Sequence, residues 1–442
     1  MTDTHVEIPW GKETLALKLP QGWELLGVME PSPRAGLADM QVEVERSLAS
    51  PIGHPRLVEM TRPGMKIALM IDDDSRPTPV RRILPAVLAE LARGGIRPEQ
   101  VTVIPALGVH DPMAEAQVAR RVGETVFPAL RWETHDCDNP EKLEFLGTSR
   151  RGTKVFMNKT VASADLVVSI GCIEPHVIAS FGGGYKNLVP GVAGRATIAH
   201  NHALNCHPNT FNNVGRPIET NPMRQDLEEA GGMLKPPVFI INAVLNSALE
   251  PVQIVSGHPV DAHREGVRTS ARIYGAAIPA LADVVVTSSH PMDQDLRQGV
   301  KALANTVRAL RPGGTMITLV RAEEGVGVFG LANRKLPVSR SVLQWLTPAI
   351  LPLVSRLKLS GMGEEDRFFL YFALQAMRQG ELLMVAPTIP KEIQERLLFV
   401  KFKEDLEAAL SQTARKYTSR AKILIFPHGG STYPILPSER TG

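Results

Sequence analysis

The 442-residue chain has few cysteines and no strong excess of either charge. Its three cysteines, Cys137, Cys172 and Cys206, are too far apart for a CxxC metal site or a small disulfide framework. Sparse cysteine is typical of a reducing compartment, so we expect a cytoplasmic protein. The net charge is only +3 and no dense Lys/Arg tract is present, which argues against a nucleic-acid partner.

Long hydrophobic runs are also missing. Residues 1–10 are polar and lack the basic-then-apolar pattern of a secretory signal. The most apolar span, residues 346–359, is interrupted by two prolines and by Ser355, Arg356 and Lys358. Since a bilayer-spanning helix needs about 20 mostly apolar residues, the sequence predicts no membrane span and no membrane partner.

Short apolar runs alternate with stretches of helical periodicity along the whole chain. Strands are predicted at 65–71, 101–107, 166–170, 238–242, 253–255, 283–287, 315–320, 382–386 and 422–427. Helices are predicted at 79–93, 111–121, 259–275, 295–310, 338–345, 365–377 and 390–409. This alternation is typical of α/β proteins with parallel sheets, and the length exceeds that of one ordinary core.

We therefore predict two Rossmann-like α/β domains, 1–275 and 276–442, with the last strand able to return to the first domain. In such sheets ligands bind beyond the carboxyl ends of the strands. The notable polar groups follow this rule: residues 72–76 follow the first predicted strand, His110 the second, and His176 the third. An active site in the cleft between the two domains is expected.

Residues 72–79, with the sequence DDDSRPTP, place three acids and Arg76 after the first strand. A guanidinium can hold a carboxylate or phosphate through two parallel hydrogen bonds. The same residues also suit the N-terminus of a helix. His110 likewise has two interpretations, because its ordinary pKa suits proton transfer while many histidines are structural.

His176 and His202 flank the sequence GGGYK at residues 182–186. Glycines let backbone N–H groups approach an anion, although three glycines are also typical of a flexible turn and the Walker A ending is absent. Lys186 would be a nucleophile if desolvated and an ordinary surface lysine otherwise. Further polar residues at 200–207 leave open which histidine matters, or whether this stretch is simply a hydrophilic loop.

Gln298 and Lys301 are three residues apart in a predicted helix, so they share one face. That face can present an amide and an ammonium group to a carboxylate. An ordinary solvated helix face is the alternative interpretation.

Together these segments resemble the nickel-dependent lactate racemase family. The resemblance is carried by five motifs in the family's order, which span most of residues 70–301. They are DDDSRPTP at 72–79, ALGVH at 106–110, EPHVIASFGGGYKNLVPGVAG at 174–194, the histidine pair around Asn201, and HPMDQDLRQGVK at 290–301. The resemblance implies racemisation or epimerisation of a small 2-hydroxy acid by hydride transfer.

The resemblance also implies a nickel-pincer nucleotide, a nickel pyridinium-3,5-bisthiocarboxylate mononucleotide made by other proteins of the host. Lys186 matches the lysine that binds this cofactor covalently as a thioamide, and His202 matches the nickel ligand. His110 and His176 match the acid–base pair. The remaining positions match cofactor and substrate contacts: Asp73, Asp74, Ser75 and Arg76 for the cofactor, with Arg76, Gln298 and Lys301 for the substrate.

The chain departs from the lactate enzyme where that enzyme has a tryptophan near the substrate. The comparable segment begins at residue 363, and Phe368 is the matching position. The loss of the indole, with an added pair Asp366 and Arg367, predicts a substrate other than lactate, such as a malate-like or sugar acid. The alternatives are a C2 epimerase of a sugar acid and a non-catalytic binding protein for an anionic ligand.

Overall fold

The computed structural model describes residues 5–327, 329–333, 338–356, 364–417 and 420–439. In these ranges the strands are β1 (His5–Trp10), β2 (Glu13–Lys18), β3 (Glu24–Val28), β4 (Ile67–Asp72), β5 (Val101–Ala106), β6 (Arg131–Trp132), β7 (Leu143–Thr148), β8 (Lys154–Asn158), β9 (Leu166–Ile173), β10 (Pro175–His176), β11 (Ser180–Phe181), β12 (Val238–Leu245), β13 (Pro251–Gly257), β14 (Gly275–Ala277), β15 (Ala282–Ser288), β16 (Leu310–Leu319), β17 (Gly380–Val385), β18 (Lys401–Lys403), β19 (Lys422–Phe426) and β20 (Tyr433–Ile435).

The helices in the same ranges are α1 (Met40–Ala49), α2 (Val80–Arg93), α3 (Glu115–Val122), α4 (Lys159–Ala162), α5 (Arg195–Ala203), α6 (Pro222–Gly231), α7 (Asp261–Tyr274), α8 (Leu296–Thr306), α9 (Arg340–Arg356), α10 (Glu364–Gln379), α11 (Lys391–Arg396) and α12 (Leu406–Lys416). None of the described helices is long and apolar enough to span a bilayer.

The first large sheet has the strand order β13-β12-β9-β4-β5-β6. All neighbours are parallel except β13, which runs antiparallel to β12. Strands β4, β9 and β12 are buried at every position, as expected for a parallel sheet covered on both faces. Residues of β4 alternate between two separate cores, with Met70 in one and Leu69 and Ile71 in the other.

The second large sheet has the order β18-β17-β16-β15-β19-β3, and all its neighbours are parallel. Its edge strand β3 comes from the N-terminus, and the β1–β2 hairpin buries Ile8 and Leu17 in the same core as Val284. The chain before residue 28 therefore packs with the second sheet. The predicted boundaries, 1–275 and 276–442, assign these N-terminal strands to the first domain. The rest of the division into two domains stays a prediction.

The predicted last strand, 422–427, stays with the second half, whereas the final strand of the chain, β20, pairs with β14 and packs Tyr433 against Phe181 of the first half. Strand β19 lies inside the second sheet between β15 and β3, so it does not return to the first sheet. The predicted helix at 390–409 is wrong, since this segment forms α11, then β18, then the first turn of α12. Pairing of β18 with β17 overrides the helical pattern, and Asp405 starts α12 by accepting a hydrogen bond from the Ala408 N–H.

Candidate active site

A cavity of about 240 Å³ lies between the two halves of the chain. It opens beyond the carboxyl ends of β4, β5 and β9, where the alternation of strands and helices predicts a ligand site. Most of the residues singled out from the sequence line it, namely Asp73, Ser75, Arg76, His110, His176, Lys186, His202, Gln298, Lys301 and Phe368. Asp74 does not, because its carboxylate is 48% exposed and accepts a hydrogen bond from Gln117 outside the cavity.

The carboxylates of the acidic turn after β4 have different roles, because one stabilises the turn and another faces the cavity. Asp72 accepts hydrogen bonds from Thr78 Oγ1 at 2.6 Å and from Arg121 Nη2 at 2.8 Å, which fixes the turn. Asp73 accepts a hydrogen bond from the Ser75 hydroxyl and faces the cavity. Helix α2, which follows, has Pro79 at its N-cap and no side-chain capping bond, so the helix-cap interpretation of this motif is not supported.

His110 is held in one tautomer by its two neighbours. Its Nδ1 lies 2.5 Å from Asp73 Oδ2, and its Nε2 lies 3.2 Å from Arg297 Nη2. A guanidinium can only donate, so Nε2 accepts and the imidazole proton is on Nδ1, donated to Asp73. Burial alone would raise the pKa of Asp73, but the hydrogen bonds from His110 and Ser75 outweigh it and lower that pKa. The lone pair of His110 therefore lies on Nε2, where it accepts from Arg297 and would serve as a proton acceptor for a substrate hydroxyl that displaces that guanidinium.

His176 has the opposite arrangement. Its Nδ1 accepts from the backbone N–H groups of Ala179 at 3.2 Å and Ile178 at 3.4 Å, so the neutral ring carries its proton on Nε2. Burial, followed by the charges of Lys186 and Arg76, lowers the pKa of His176 well below 6.5. The Nε2–H lies 3.1 Å from Lys186 Nζ and donates to it when the lysine is neutral.

Lys186 lies on a single 3₁₀ turn, Gly184–Asn187, with its amine in the cavity. Burial is the largest cause that lowers its pKa from 10.5 to about 7, and the charge of Arg76 adds to it. A neutral amine is a nucleophile. The structure therefore supports the interpretation of Lys186 as a reactive group over that of an ordinary surface lysine.

Trace acetylation of the apoprotein across a pH series tests the state of Lys186. With a pKa of about 7, roughly three quarters of the amine is neutral at pH 7.5, against about one part in a thousand for an ordinary lysine. We expect labelling at Lys186 to reach half of its plateau near pH 7, with exposed Lys235 as the internal reference for reagent decay. A midpoint near 10 at Lys186 would contradict the desolvated site.

The glycines before Lys186 are required by close packing. Gly183 and Gly184 have φ angles of 75° and 63°, in the left-handed region that favours glycine. A Cβ on Gly183 would lie 2.7 Å from Ile173 Cγ1, and one on Gly184 would lie 2.5 Å from Arg224 Nη2. The Gly184 N–H donates to Asn242 Oδ1 at 2.9 Å. The N–H groups of Gly182 and Gly184 are both used inside the protein, and the glycines allow the tight turn that holds Lys186 in place.

Helix α8 brings the second half of the chain to the site. Its first turn is capped by Asp295, which accepts a hydrogen bond from the Gln298 N–H at 2.7 Å. Arg297, Gln298 and Lys301 all line the cavity, so this is not a solvated face. Gln298 Oε1 is buried with no hydrogen-bond donor among the described residues, and such an atom favours a bound polar group. Burial and then the charge of Arg76 lower the pKa of Lys301 to about 8.

Two further charged residues belong to the site and were not singled out from the sequence. Glu174 forms an ion pair with Arg76 across the cavity, and Arg297 contacts His110. Both lie inside quoted motifs, next to residues that were chosen. In the sequence, only their position beside chosen residues could have pointed to Glu174 and Arg297. The residues that they contact, Arg76 and His110, are far away along the chain.

His202 lies on α5 and lines the same cavity as Lys186. Across the described ranges, no three His, Cys, Asp or Glu residues are grouped to hold a metal. A zinc enzyme usually supplies three protein ligands, and His202 belongs to no such cluster within the described ranges. The buried Lys186 amine, with His202 in the same cavity, fits a cofactor that is bound covalently and brings its own metal ligands.

Comparisons with known proteins find relatives along most of the chain. The model of the lactate racemase N-terminal domain family matches residues 10–213. The lactate racemase of Thermoanaerobacterium thermosaccharolyticum is 32% identical over 331 residues, which cover 74% of this chain and 76% of that protein. The lactate racemase of Lactiplantibacillus plantarum is 24% identical over 96% of this chain and 98% of that protein.

Solved structures show the same architecture. The lactate racemase apoprotein from Thermoanaerobacterium thermosaccharolyticum superposes with a TM-score of 0.83 and 28% identity, covering 98% of this chain and all of that one. A Thermotoga maritima protein, at 15% identity and a TM-score of 0.64 over 92% of this chain and all of that one, shares the fold. By sequence and by structure, this chain is a member of the lactate racemase family.

Proposed function

We propose that the protein is an isomerase that racemises a 2-hydroxy acid larger than lactate, using a nickel-pincer nucleotide. The relatives named lactate racemase support racemisation of a 2-hydroxy acid. The observation that carries the proposal is the pairing of His110 and His176, two histidines in opposite tautomers, in one cavity with the buried amine of Lys186.

Lys186 and His202 would hold the cofactor, through an amide-type bond and a nickel–imidazole bond respectively. Imidazole combined with sulfur ligands is a reasonable donor set for nickel(II). When bound, the cofactor supplies a reversible two-electron acceptor beside the substrate. Arg76 and Lys301 provide positive charge for a carboxylate or phosphate, and Gln298 Oε1 provides a buried acceptor for a hydroxyl.

Racemisation needs one neutral and one protonated histidine, because one removes the hydroxyl proton while the other returns a proton to the oxygen. Asp73 accepts the Nδ1 proton of His110, so Nε2 is the atom that would take up or return the substrate proton. The pKa of His176 is lowered by burial and by the Lys186 charge. Acylation of Lys186 would remove that charge and leave burial and the charge of Arg76 as the main causes that lower the pKa of His176.

Racemisation of single enantiomers that carry deuterium at C2 tests the proposal. The holoenzyme, produced in a host that makes the cofactor, is expected to convert either enantiomer to a racemate, as read by chiral chromatography. The deuterium should remain at C2, because hydride transfer keeps it within the site. Loss of the label to solvent would indicate proton abstraction at carbon, and absence of racemisation with every 2-hydroxy acid would refute the function. Apoprotein from a host without the cofactor is the control.

A further inference from the structure

One part of the cavity wall is made of phenylalanine side chains. Phe329, Phe368, Phe369 and Phe372 all line the cavity and contact one another, with ring centroids 5.7 to 6.4 Å apart. We call these four residues the phenylalanine wall. Three of them lie on α10, and every α10 residue that lines the cavity is apolar. Among the described residues, α10 therefore offers no charged or hydrogen-bonding partner to a ligand.

Helix α8 connects the charged and apolar parts of the cavity. Its first turns carry Arg297, Gln298 and Lys301, and its next positions in the lining are Leu303 and Ala304. Residues 301 and 304 are about one helical turn apart, so their side chains follow one another along one face at a spacing of about 5 Å. A ligand whose carboxylate binds Lys301 consequently extends towards Ala304, whose small side chain leaves space.

From this arrangement we infer that the substrate is a 2-hydroxy acid whose C2 substituent is a bulky hydrophobic group, of the size of a branched alkyl chain or a benzyl group. The inference rests on the proposed function and specifies its substrate class. The carboxylate and hydroxyl bind among Arg76, Gln298 and Lys301, and the substituent packs beside Ala304 against the phenylalanine wall. Each additional buried methylene strengthens such packing.

A polar substituent does not fit this surface. A second carboxylate or a row of hydroxyls would be buried against aromatic rings without partners, which opposes binding. The pair Asp366 and Arg367, which suggested a malate-like or sugar acid, does not line the cavity. The two charged residues that were expected to favour a polar substrate therefore do not reach it. Phe368, which replaces the tryptophan of the lactate enzyme, belongs to the apolar wall.

The cofactor is a poorer occupant for the wall. The residues that fit its attachment, Lys186 and His202, come from the first half of the chain; α10 packs beside the His202 helix, α5, but presents only apolar residues to the cavity. A nucleotide phosphate also requires cations or N–H donors, and the α10 lining has none.

A substrate panel on the holoenzyme tests the inference, comparing 3-phenyllactate, lactate, malate and glycerate. We expect kcat/KM for 3-phenyllactate to exceed each of the other three values by at least about 10²-fold, since several buried methylene equivalents are gained. A kcat/KM for lactate, malate or glycerate that equals or exceeds that for 3-phenyllactate would overturn the inference and leave the proposed function standing. No racemisation of any of the four, nor of other 2-hydroxy acids, would overturn both.

Two variants test whether the C2 substituent binds beside Ala304. Ala304→Leu fills the space beside Lys301 and is expected to lower the ratio of kcat/KM for 3-phenyllactate over lactate by about tenfold or more. Trp345→Ala removes an aromatic side chain that is 79% exposed and outside the cavity, so that ratio should not change. An unchanged ratio in Ala304→Leu would contradict the placement of the substituent.

A binding measurement remains decisive if Ala304→Leu fails to fold. Calorimetry on the wild-type holoenzyme compares 3-phenylpropanoate with propanoate, which lack the reacting hydroxyl. The aromatic acid should bind about 10²-fold more tightly. Equal dissociation constants would overturn the inference whatever the kinetics show.

Discussion

Replacing Lys186 by methionine is expected to abolish racemisation while the protein remains folded. The substitution keeps a long side chain but removes the amine that lies 3.1 Å from His176 Nε2. Covalent positioning of a reactant is worth effective concentrations of about 10⁵ M or more, so activity should fall by at least about 10³-fold. The measurement is initial racemisation rate together with nickel content, and retention of half the wild-type rate would contradict a covalent role.

The stability of the same variant supplies a second readout. In the wild-type apoprotein the pKa of Lys186 is about 7, whereas in the unfolded chain it is near its ordinary 10.5. Between these values the unfolded state binds more protons, so the wild-type free energy of unfolding rises with pH from about 7 towards 10.5. The Lys186→Met apoprotein should lack this part of the increase. Identical pH profiles by urea denaturation would show that the amine is not buried.

Replacing Asp73 by asparagine is expected to be the second most damaging change, with a loss in kcat of about 10³-fold. Asp73 Oδ2 accepts the proton of His110 Nδ1, which keeps the lone pair on Nε2. An amide would not stabilise the imidazolium and could donate to Nδ1, which favours the wrong tautomer. Because Asp73 acts on proton transfer through His110, the loss should appear mainly in kcat, measured at saturating substrate.

Asp111→Asn is the matched control for that change. Asp111 is the exposed neighbour of His110 and does not line the cavity, so near wild-type kinetics are expected.

A further check comes from thermodynamics, since enantiomers have equal free energy. In every variant kcat/KM must fall equally for both enantiomers, even when one histidine is impaired. An Asp73→Asn enzyme with wild-type kcat would refute the assignment of His110 as a base.

The convergence of the site residues was predictable because it follows from local patterns. Each apolar run that ends in a polar group is a strand, and the carboxyl ends of parallel strands meet at one edge. His110 and His176 accordingly line one cavity, as does Lys186 after the tight glycine turn. The spacing of Gln298 and Lys301 likewise identified one face of a helix that points into the same cavity.

What escaped prediction depends on pairings between distant segments. Strand β3 joins β19 across almost the entire chain, and no local pattern specifies that parallel partner. Asp74 has the same side chain as Asp73, yet successive residues of a turn point in different directions, so that Asp73 lines the cavity and Asp74 does not. The phenylalanine wall resembles ordinary core in the sequence, because the spacing of Phe368 and Phe372 is that of any buried helix face.

The covalent state of Lys186 in natively produced, active enzyme tests the central claim most directly. Between Lys159 and Arg195 the only tryptic site is Lys186, so a modified lysine yields an uncleaved peptide of residues 160–195. We predict that this peptide carries a nucleotide-sized adduct and that the protein contains nickel in stoichiometric amount. Cleavage at Lys186 into unmodified peptides 160–186 and 187–195, in enzyme that racemises its substrate at full rate, would contradict the account.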